Sequence, residues 1–354
     1  MVMLMPRRRI LTLTVSGVLL AAFLLTALLM PVPYAEMTPG PTFNVLGSYN
    51  KTPLVTITGH KTYPTTGQLR MVTVGVTDET YQMPLGTALL GWLNQDEAIV
   101  PKETIYPPNT TQQQSDATNE QEFTDSQDEA VTAALAALNI KPTGTDVEIA
   151  QVQDGSPADN KLDPGDIIVS VGGVRINASG SAALSQVTDT VQQASPGQKV
   201  TFVVDRGGKQ VTVPVATAPN SDGKASVGIG IESENTFPFQ VDIQLDGVGG
   251  PSAGMMFALG IIDKLTGWNL AGGRVIAGTG TIDASGNVGA IGGVQMKTLG
   301  ARRDGAVYFL TPAGNCAEAE QNVPAGLTLV KVSTLQDALT ALKDVDAGKA
   351  PPSC

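Results

Sequence analysis

Ser252 stands in the run Gly247-Val248-Gly249-Gly250-Pro251-Ser252-Ala253-Gly254, and Lys297 follows in Gly292-Gly293-Val294-Gln295-Met296-Lys297. Gly-Pro-Ser-Ala-Gly fits the Gly-x-Ser-x-Gly pattern of a nucleophilic serine on a tight turn entering a helix. Such a serine needs a base, usually a histidine. The chain has one histidine, His60, well upstream of Ser252. A hydrolase running Ser, then Asp, then His is therefore excluded, and if Ser252 is a nucleophile, Lys297 is the candidate base.

A lysine removes a proton only when neutral. Bringing its pKa from about 10.4 to about 7 costs the ammonium form roughly 4–5 kcal/mol, and burial in apolar surroundings supplies that. Lys297 has Ile291, Gly292, Gly293, Val294, Met296 and Leu299 around it in sequence, a setting that can be dry. Thr279 is the candidate hydroxyl to orient the amine. A serine at the start of a buried helix has free backbone N–H groups for an oxyanion. Gly249 and Gly250 leave room for a substrate backbone. The alternative is a plain glycine turn with a solvated lysine. Lys264 also follows Ser252, but about three turns along the same rod, where a cation suits the helix C-terminus; it is expected to be structural. His60 follows Gly59 with no motif around it, and a surface position is expected.

The chain carries net charge −11, which argues against nucleic acid as a partner. No Gly-x-x-x-x-Gly-Lys-Ser/Thr phosphate loop occurs, so no ATP motor is expected. No residues have metal-site spacing, and no cofactor is expected. Arg7-Arg8-Arg9 precedes an apolar run from Ile10 to Met30, about twenty residues and enough to cross a bilayer as a helix. The arginines should stay cytoplasmic, placing the rest outside. Pro33-Tyr34-Ala35 is a poor cleavage site, so a retained single-pass anchor is expected. Cys316 and Cys354 then both lie outside, where a disulfide is favoured over free thiols. It would close a loop of nearly forty residues, worth on the order of 3–4 kcal/mol in the entropic model.

Beyond Pro39-Gly40-Pro41, strands are expected at 54–58 and 69–76 and a short helix at 85–93. The polar stretch 104–125 lacks an apolar pattern and is expected to be a mobile loop. A helix should follow over 129–138, with Ser126 and Glu129 as its capping box. From Asp146 come strands, the turn Gly155-Ser156-Pro157-Ala158, then Asp163-Pro164-Gly165-Asp166 and a helix over 181–193. This resembles a PDZ domain of the kind attached to bacterial envelope proteases, over about 140–217. No Gly-apolar-Gly-apolar loop precedes its first strand, so no carboxylate loop is recognisable and the sequence leaves C-terminal peptide capture open. Leu184, Val187 and Val191 either line a peptide groove or pack the small core.

Residues 225–345 resemble the proteolytic domain of Lon-type peptidases. The matching stretches are Gly250 to Gly254, Thr279-Gly280-Thr281-Ile282 through Gly286, Val288 to Gly293, Lys297, and Ala301-Arg302-Arg303. The resemblance implies Ser252 as nucleophile, Lys297 as base and Thr279 as the hydroxyl beside the amine, with Gly250 and Ala253 as supporting positions. Gly249 departs from it, because ATP-dependent Lon enzymes carry an aspartate there. The whole chain resembles membrane-anchored, PDZ-containing Lon-like serine peptidases of bacteria. Lon-type domains begin with strands and a helix before the serine segment, which implies that the PDZ is inserted into the protease domain. They often form rings, so a homo-oligomer is a further implication.

The expected fold class is α+β: a Lon-type proteolytic domain with an inserted PDZ domain, preceded by one transmembrane helix. The expected boundaries are a cytoplasmic tail at 1–9, an anchor at 10–30, the N-terminal part of the protease domain at 31–137, the PDZ at 138–217, the proteolytic domain at 218–345 and a tail at 346–354. The expected activity is ATP-independent endopeptidase action on unfolded or extended protein and peptide substrates outside the cytoplasm. The alternative is a non-catalytic PDZ adaptor on a degenerate protease scaffold.

Overall fold

The computed structural model describes residues 7–94, 96–107, 110, 112–178 and 181–354. The first six residues of the expected cytoplasmic tail lie outside that set. Helix α1, Arg7–Leu28, contains the span Leu11–Leu28 with mean hydropathy 2.2 and none of it buried. It is long and apolar enough to cross a membrane.

Two compact units follow from the contacts. One comprises Met1–Ala137 with Val241–Cys354, and the other is Leu138–Gln240. The chain therefore leaves the first unit, completes the second, and returns. The first unit is built on a six-stranded sheet. In chain order its strands are β1 (Tyr34–Asn44), β2 (Gln68–Val76), β3 (Ala98–Pro101), β4 (Val275–Gly278), β5 (Tyr308–Pro312) and β6 (Thr328–Val332). Their spatial order is β6-β5-β4-β2-β1-β3. The pairs β2–β4, β4–β5 and β5–β6 are parallel, while β1 is antiparallel to β2 and β3. Parallel strands are covered on both faces and read as continuous apolar runs. Ile276, Ala277, Phe309 and Leu310 are fully buried accordingly.

Four helices of this unit bear on the site: α2 (Gln112–Ala137), α3 (Gly254–Thr266), α4 (Val294–Arg303) and α5 (Leu335–Asp346). Helix α3 is apolar nearly all round and buried along almost its whole length, as a central helix must be. Gly267 ends it in the left-handed conformation. Thr334 caps α5 through a reciprocal bond with Asp337.

Helix α2 corrects the expected mobile loop of 104–125 over residues 112–125; residues 108, 109 and 111 of that stretch lie outside the described set. Its first three turns carry polar side chains apart from Ala117, all at least partly exposed, so no apolar period marks them. The buried positions begin at Phe123 and continue through Ser126, Ala130, Ala133 and Ala134, a face of small residues that lets α2 lie close to α3. Phe123 meets Phe257 edge-on, with ring centroids 5.9 Å apart. Ser126 is therefore a mid-helix residue and not the expected cap.

The second unit has a sheet ordered Lys209–Ala216, Lys199–Arg206, Ile167–Val171, Gly144–Val152 and Ile229–Thr236, with a helix at Ser181–Gln192. The last strand pairs antiparallel with Gly144–Val152. This compact unit thus runs on to Gln240. The sequence 218–240 shows only strand and turn patterns, which do not reveal which sheet they join. Val187 and Val191 are core residues here, packed with Val147, Ile149, Phe202 and Val204, and Leu184 packs partly buried against them. For the two valines the packing alternative holds rather than the groove.

Cys316 and Cys354 are disulfide-bonded, with Cα atoms 5.2 Å apart and 38 residues of separation. The bond fixes the C-terminal tail, where the Lys331 N–H also donates to the Pro352 carbonyl at 3.0 Å. Reduction, or Cys354→Ser, is expected to cost up to about 3–4 kcal/mol. Calorimetry with and without reductant should show a melting temperature lowered by several degrees; an unchanged melt would contradict that role.

Candidate active site

The turn before α3 is held peptide by peptide. Gly250 has φ +81°, a conformation natural to glycine. Its N–H donates to the Asn119 carbonyl of α2 at 2.8 Å. A Cβ at Gly249 would stand 2.9 Å from Asn119 Cβ, so helix α2 itself demands glycine at the position where a carboxylate was noted as missing. The Pro251 carbonyl accepts from Ser126 Oγ at 2.9 Å. The Ser252 carbonyl accepts from Thr279 Oγ1 at 2.9 Å and from the Gly280 N–H at 2.9 Å. The Met255 N–H returns a bond to the Gly280 carbonyl at 3.2 Å.

These bonds fix directions. A trans peptide is planar, with C=O and N–H pointing opposite ways. The Ser252 N–H therefore points away from Ser126, and the Ala253 N–H points away from Thr279 and Gly280. Neither N–H has a hydrogen-bond partner among the described residues. Two adjacent backbone donors beside a serine hydroxyl are the parts of an oxyanion site.

The amine arrives from α4. Gly293 opens that helix at φ +68°, and Lys297 lies one turn in. Lys297 Nζ is 2.7 Å from Ser252 Oγ and 3.1 Å from Thr279 Oγ1. Lys297 is 3% exposed and Thr279 is fully buried. Burial pushes the Lys297 pKa down from its ordinary value to about 8. No carboxylate is hydrogen-bonded or ion-paired to it among the described residues, so nothing offsets the loss of water around the charge. A neutral amine in this position is within reach of the Ser252 hydroxyl proton, with the Thr279 hydroxyl as its second neighbour.

The pair opens into a cleft of about 380 Å³ whose walls include Pro41, Phe43, Tyr49 and Met71, with Gly250 and Ala253 at its floor. A second recess of about 750 Å³ shares Tyr49 and the segment 246–249 with it and runs along the exposed side of α2. The lining of the second recess is mostly polar on the α2 side.

The structure thus brings Ser252, Lys297, Thr279, Gly250 and Ala253 together. It keeps other candidates away. Lys264 Nζ donates to the Val55 carbonyl at 2.5 Å and is turned into the protein; burial lowers its pKa too. His60 is exposed, with Nδ1 2.9 Å from the Lys61 carbonyl. Sequence reasoning missed Ser126 and Asn119 as supports. The available signal was the spacing of Ser126, Ala130, Ala133 and Ala134, small residues on one face of a helix facing Gly254. A Cβ at Gly254 would stand 2.7 Å from Ser126 Oγ.

Comparison with known proteins finds two families. The family model of the PDZ domain matches residues 121–217. That of the Lon protease (S16) C-terminal proteolytic domain matches residues 246–343. A Lon protease from Azospirillum brasilense is 41% identical over 93 residues, covering 25% of this chain and 11% of the relative. A probable periplasmic serine endoprotease DegP-like from Hahella chejuensis is 44% identical over 94 residues, covering 25% of this chain and 19% of that protein. The PDZ domain of an SdrC-like protein from Listeria monocytogenes aligns at TM-score 0.22 and 21% identity, over 24% of this chain and 85% of that one. The chain spans only 11 to 19% of the length of these curated relatives. With its mixed helices and strands, it joins a PDZ domain to a Lon protease C-terminal proteolytic domain, and Ser252, Thr279 and Lys297 all lie in the latter.

Proposed function

We propose that the chain is a serine endopeptidase with a Ser252–Lys297 dyad, working without ATP on unfolded or extended polypeptides. The observation that carries this is the buried Lys297 amine 2.7 Å from Ser252 Oγ. Neutral Lys297 takes the Ser252 proton as Oγ attacks the scissile carbonyl. The backbone N–H groups of Ser252 and Ala253 receive the oxyanion. The Lys297 ammonium returns the proton to the leaving amine, and the acyl-enzyme is released when water attacks with Lys297 again as base. Thr279 holds the amine throughout. The recess beside the cleft suits an extended chain and not a folded surface. Helix α1 would anchor the protein in a membrane with its arginine-flanked end cytoplasmic and both units outside. The PDZ domain would recruit substrate or gate access, and a ring of identical chains is a compatible assembly. Casein digestion in the absence of nucleotide tests the proposal. Hydrolysis is expected; an inert, folded wild type would favour a non-catalytic adaptor instead.

Ser126 extends the same account. Thr124 on α2 bonds back to its own helix at Glu120, as helical hydroxyls commonly do. Ser126 spends its proton on Pro251 and thereby aims the Ser252 N–H. Ser126→Ala should lower kcat by about 10- to 100-fold, less than the loss for deleting an oxyanion donor. KM and the apparent pKa of the base should stay put. A merely structural role would instead appear as a lower melting temperature with kcat per folded molecule unchanged.

A further inference from the structure

Beyond the catalytic reading, the protein carries an apolar surface that the described contacts leave open. Leu89, Leu90, Trp92 and Leu93 are 42, 70, 51 and 83% exposed. Four large apolar side chains within five residues are unusual on a soluble surface. They belong to the short helix Leu85–Gly91 and the turn that ends it. Asn94 and Asp96 bound the patch with polar groups.

Its place in the fold says what covers it. The Leu85 N–H donates to the Met30 carbonyl at 2.8 Å, just beyond the end of α1. Pro31–Val32, the first residues after the anchor, pair with Met83–Pro84, the last before the short helix. Gly86 lies against Leu28, where a Cβ would stand 3.2 Å from the Leu28 carbonyl oxygen. The patch is thus pinned to the exit of the apolar span. A helix of this length is roughly 10 Å long, comparable to the headgroup layer of about 5–8 Å on each side of the hydrocarbon. The surface is continuous with Leu25, Leu28, Leu29 and Met30, exposed at 43 to 65%. Trp92 and Tyr34 meet edge-on at 5.3 Å, and Trp92 Nε1 donates to the Ile99 carbonyl. Tryptophan and tyrosine favour the membrane–water interface for this mixed character.

We propose that Leu89, Leu90, Trp92 and Leu93 insert into the interfacial layer of the same bilayer that α1 crosses, as a second contact beside the anchor. The partner is the lipid surface itself. This contact fixes the first unit at the membrane rather than leaving it on a free tether. The proposal rests on α1 being a membrane anchor, and the test separates the two.

The full chain is reconstituted in phosphatidylcholine vesicles, with Trp268→Phe so that Trp92 is the sole indole. Flotation reports the anchor, and emission reports the patch. The expected result is co-flotation, a blue-shifted Trp92 emission, and quenching by lipids brominated near the headgroups, where an interfacial apolar face sits. Leu90→Ser with Leu93→Ser should reduce both the shift and the quenching while co-flotation persists. Co-flotation with red-shifted, unquenched emission overturns the proposal and leaves the anchor standing. Blue-shifted but unquenched emission also overturns it, because protein and not lipid then covers the patch. Failure to float overturns the anchor and the proposal together.

Discussion

Ser252→Ala and Lys297→Ala are each expected to abolish peptide hydrolysis, with kcat/KM lower by about 10⁴-fold or more. The two losses should not add. Ser252 without a base is a weak alcohol, and Lys297 without the hydroxyl has nothing to activate, so the double variant should match either single one. Neither change should unfold the protein. Ser252 contributes its backbone carbonyl, not its side chain, to the Thr279 and Gly280 bonds that hold the turn. Lys297→Arg should be as inactive as alanine, because guanidinium does not give up its proton at working pH. Thr279→Val removes one bond from the amine and one from the Ser252 carbonyl, and should cost about 10- to 100-fold. Kinetics on a fluorogenic peptide, with circular dichroism on each variant, checks the series. Substantial hydrolysis by folded Lys297→Ala would contradict the assignment.

The pH dependence is the second large effect. With its pKa near 8, Lys297 is about one-tenth neutral at pH 7, against about three parts in ten thousand at its ordinary value near 10.5. Burial is therefore worth roughly 300-fold in available base at neutral pH. The rate should climb about tenfold per unit below pH 8 and level off above it. A climb continuing to pH 10 would mean a solvated amine. Stability carries the same signature. The folded pKa lies below the unfolded one, so the unfolded state binds more protons between them. The penalty, of order 3 kcal/mol, is complete below about pH 8 and is relieved as pH rises toward 10.5. Lys297→Met should accordingly be inactive yet melt higher than wild type at pH 7, though the lost bonds to Ser252 and Thr279 reduce the gain.

The site was more legible in the sequence than its supports were. Ser252, Thr279 and Lys297 sit in short glycine-rich runs that stand out from the flanking composition, so these candidates could be picked out locally. Ser126 and Asn119 bond backbone groups of a turn far along the chain; the small-residue face at Ser126, Ala130, Ala133 and Ala134 marks a close helix contact but not the partner of the bond. Helix α2 hid for a related reason: its first turns bury no apolar side chain, and its polar composition matches that of a loop. Gly249 looked like a missing carboxylate until Asn119 filled the space beside it. The strand Ile229–Thr236 alternates as a strand should, but alternation is silent about which sheet it completes. Val187 and Val191 show the same limit, since a groove wall and a core face share one helical period.

The central claim, a serine made nucleophilic by a buried neutral amine, is tested most directly by a fluorophosphonate probe followed by peptide mapping. A single adduct on Ser252 is expected, formed faster as pH rises through about 8 and absent from Lys297→Ala. An adduct elsewhere, no adduct at all, or equal labelling in wild type and Lys297→Ala would contradict it.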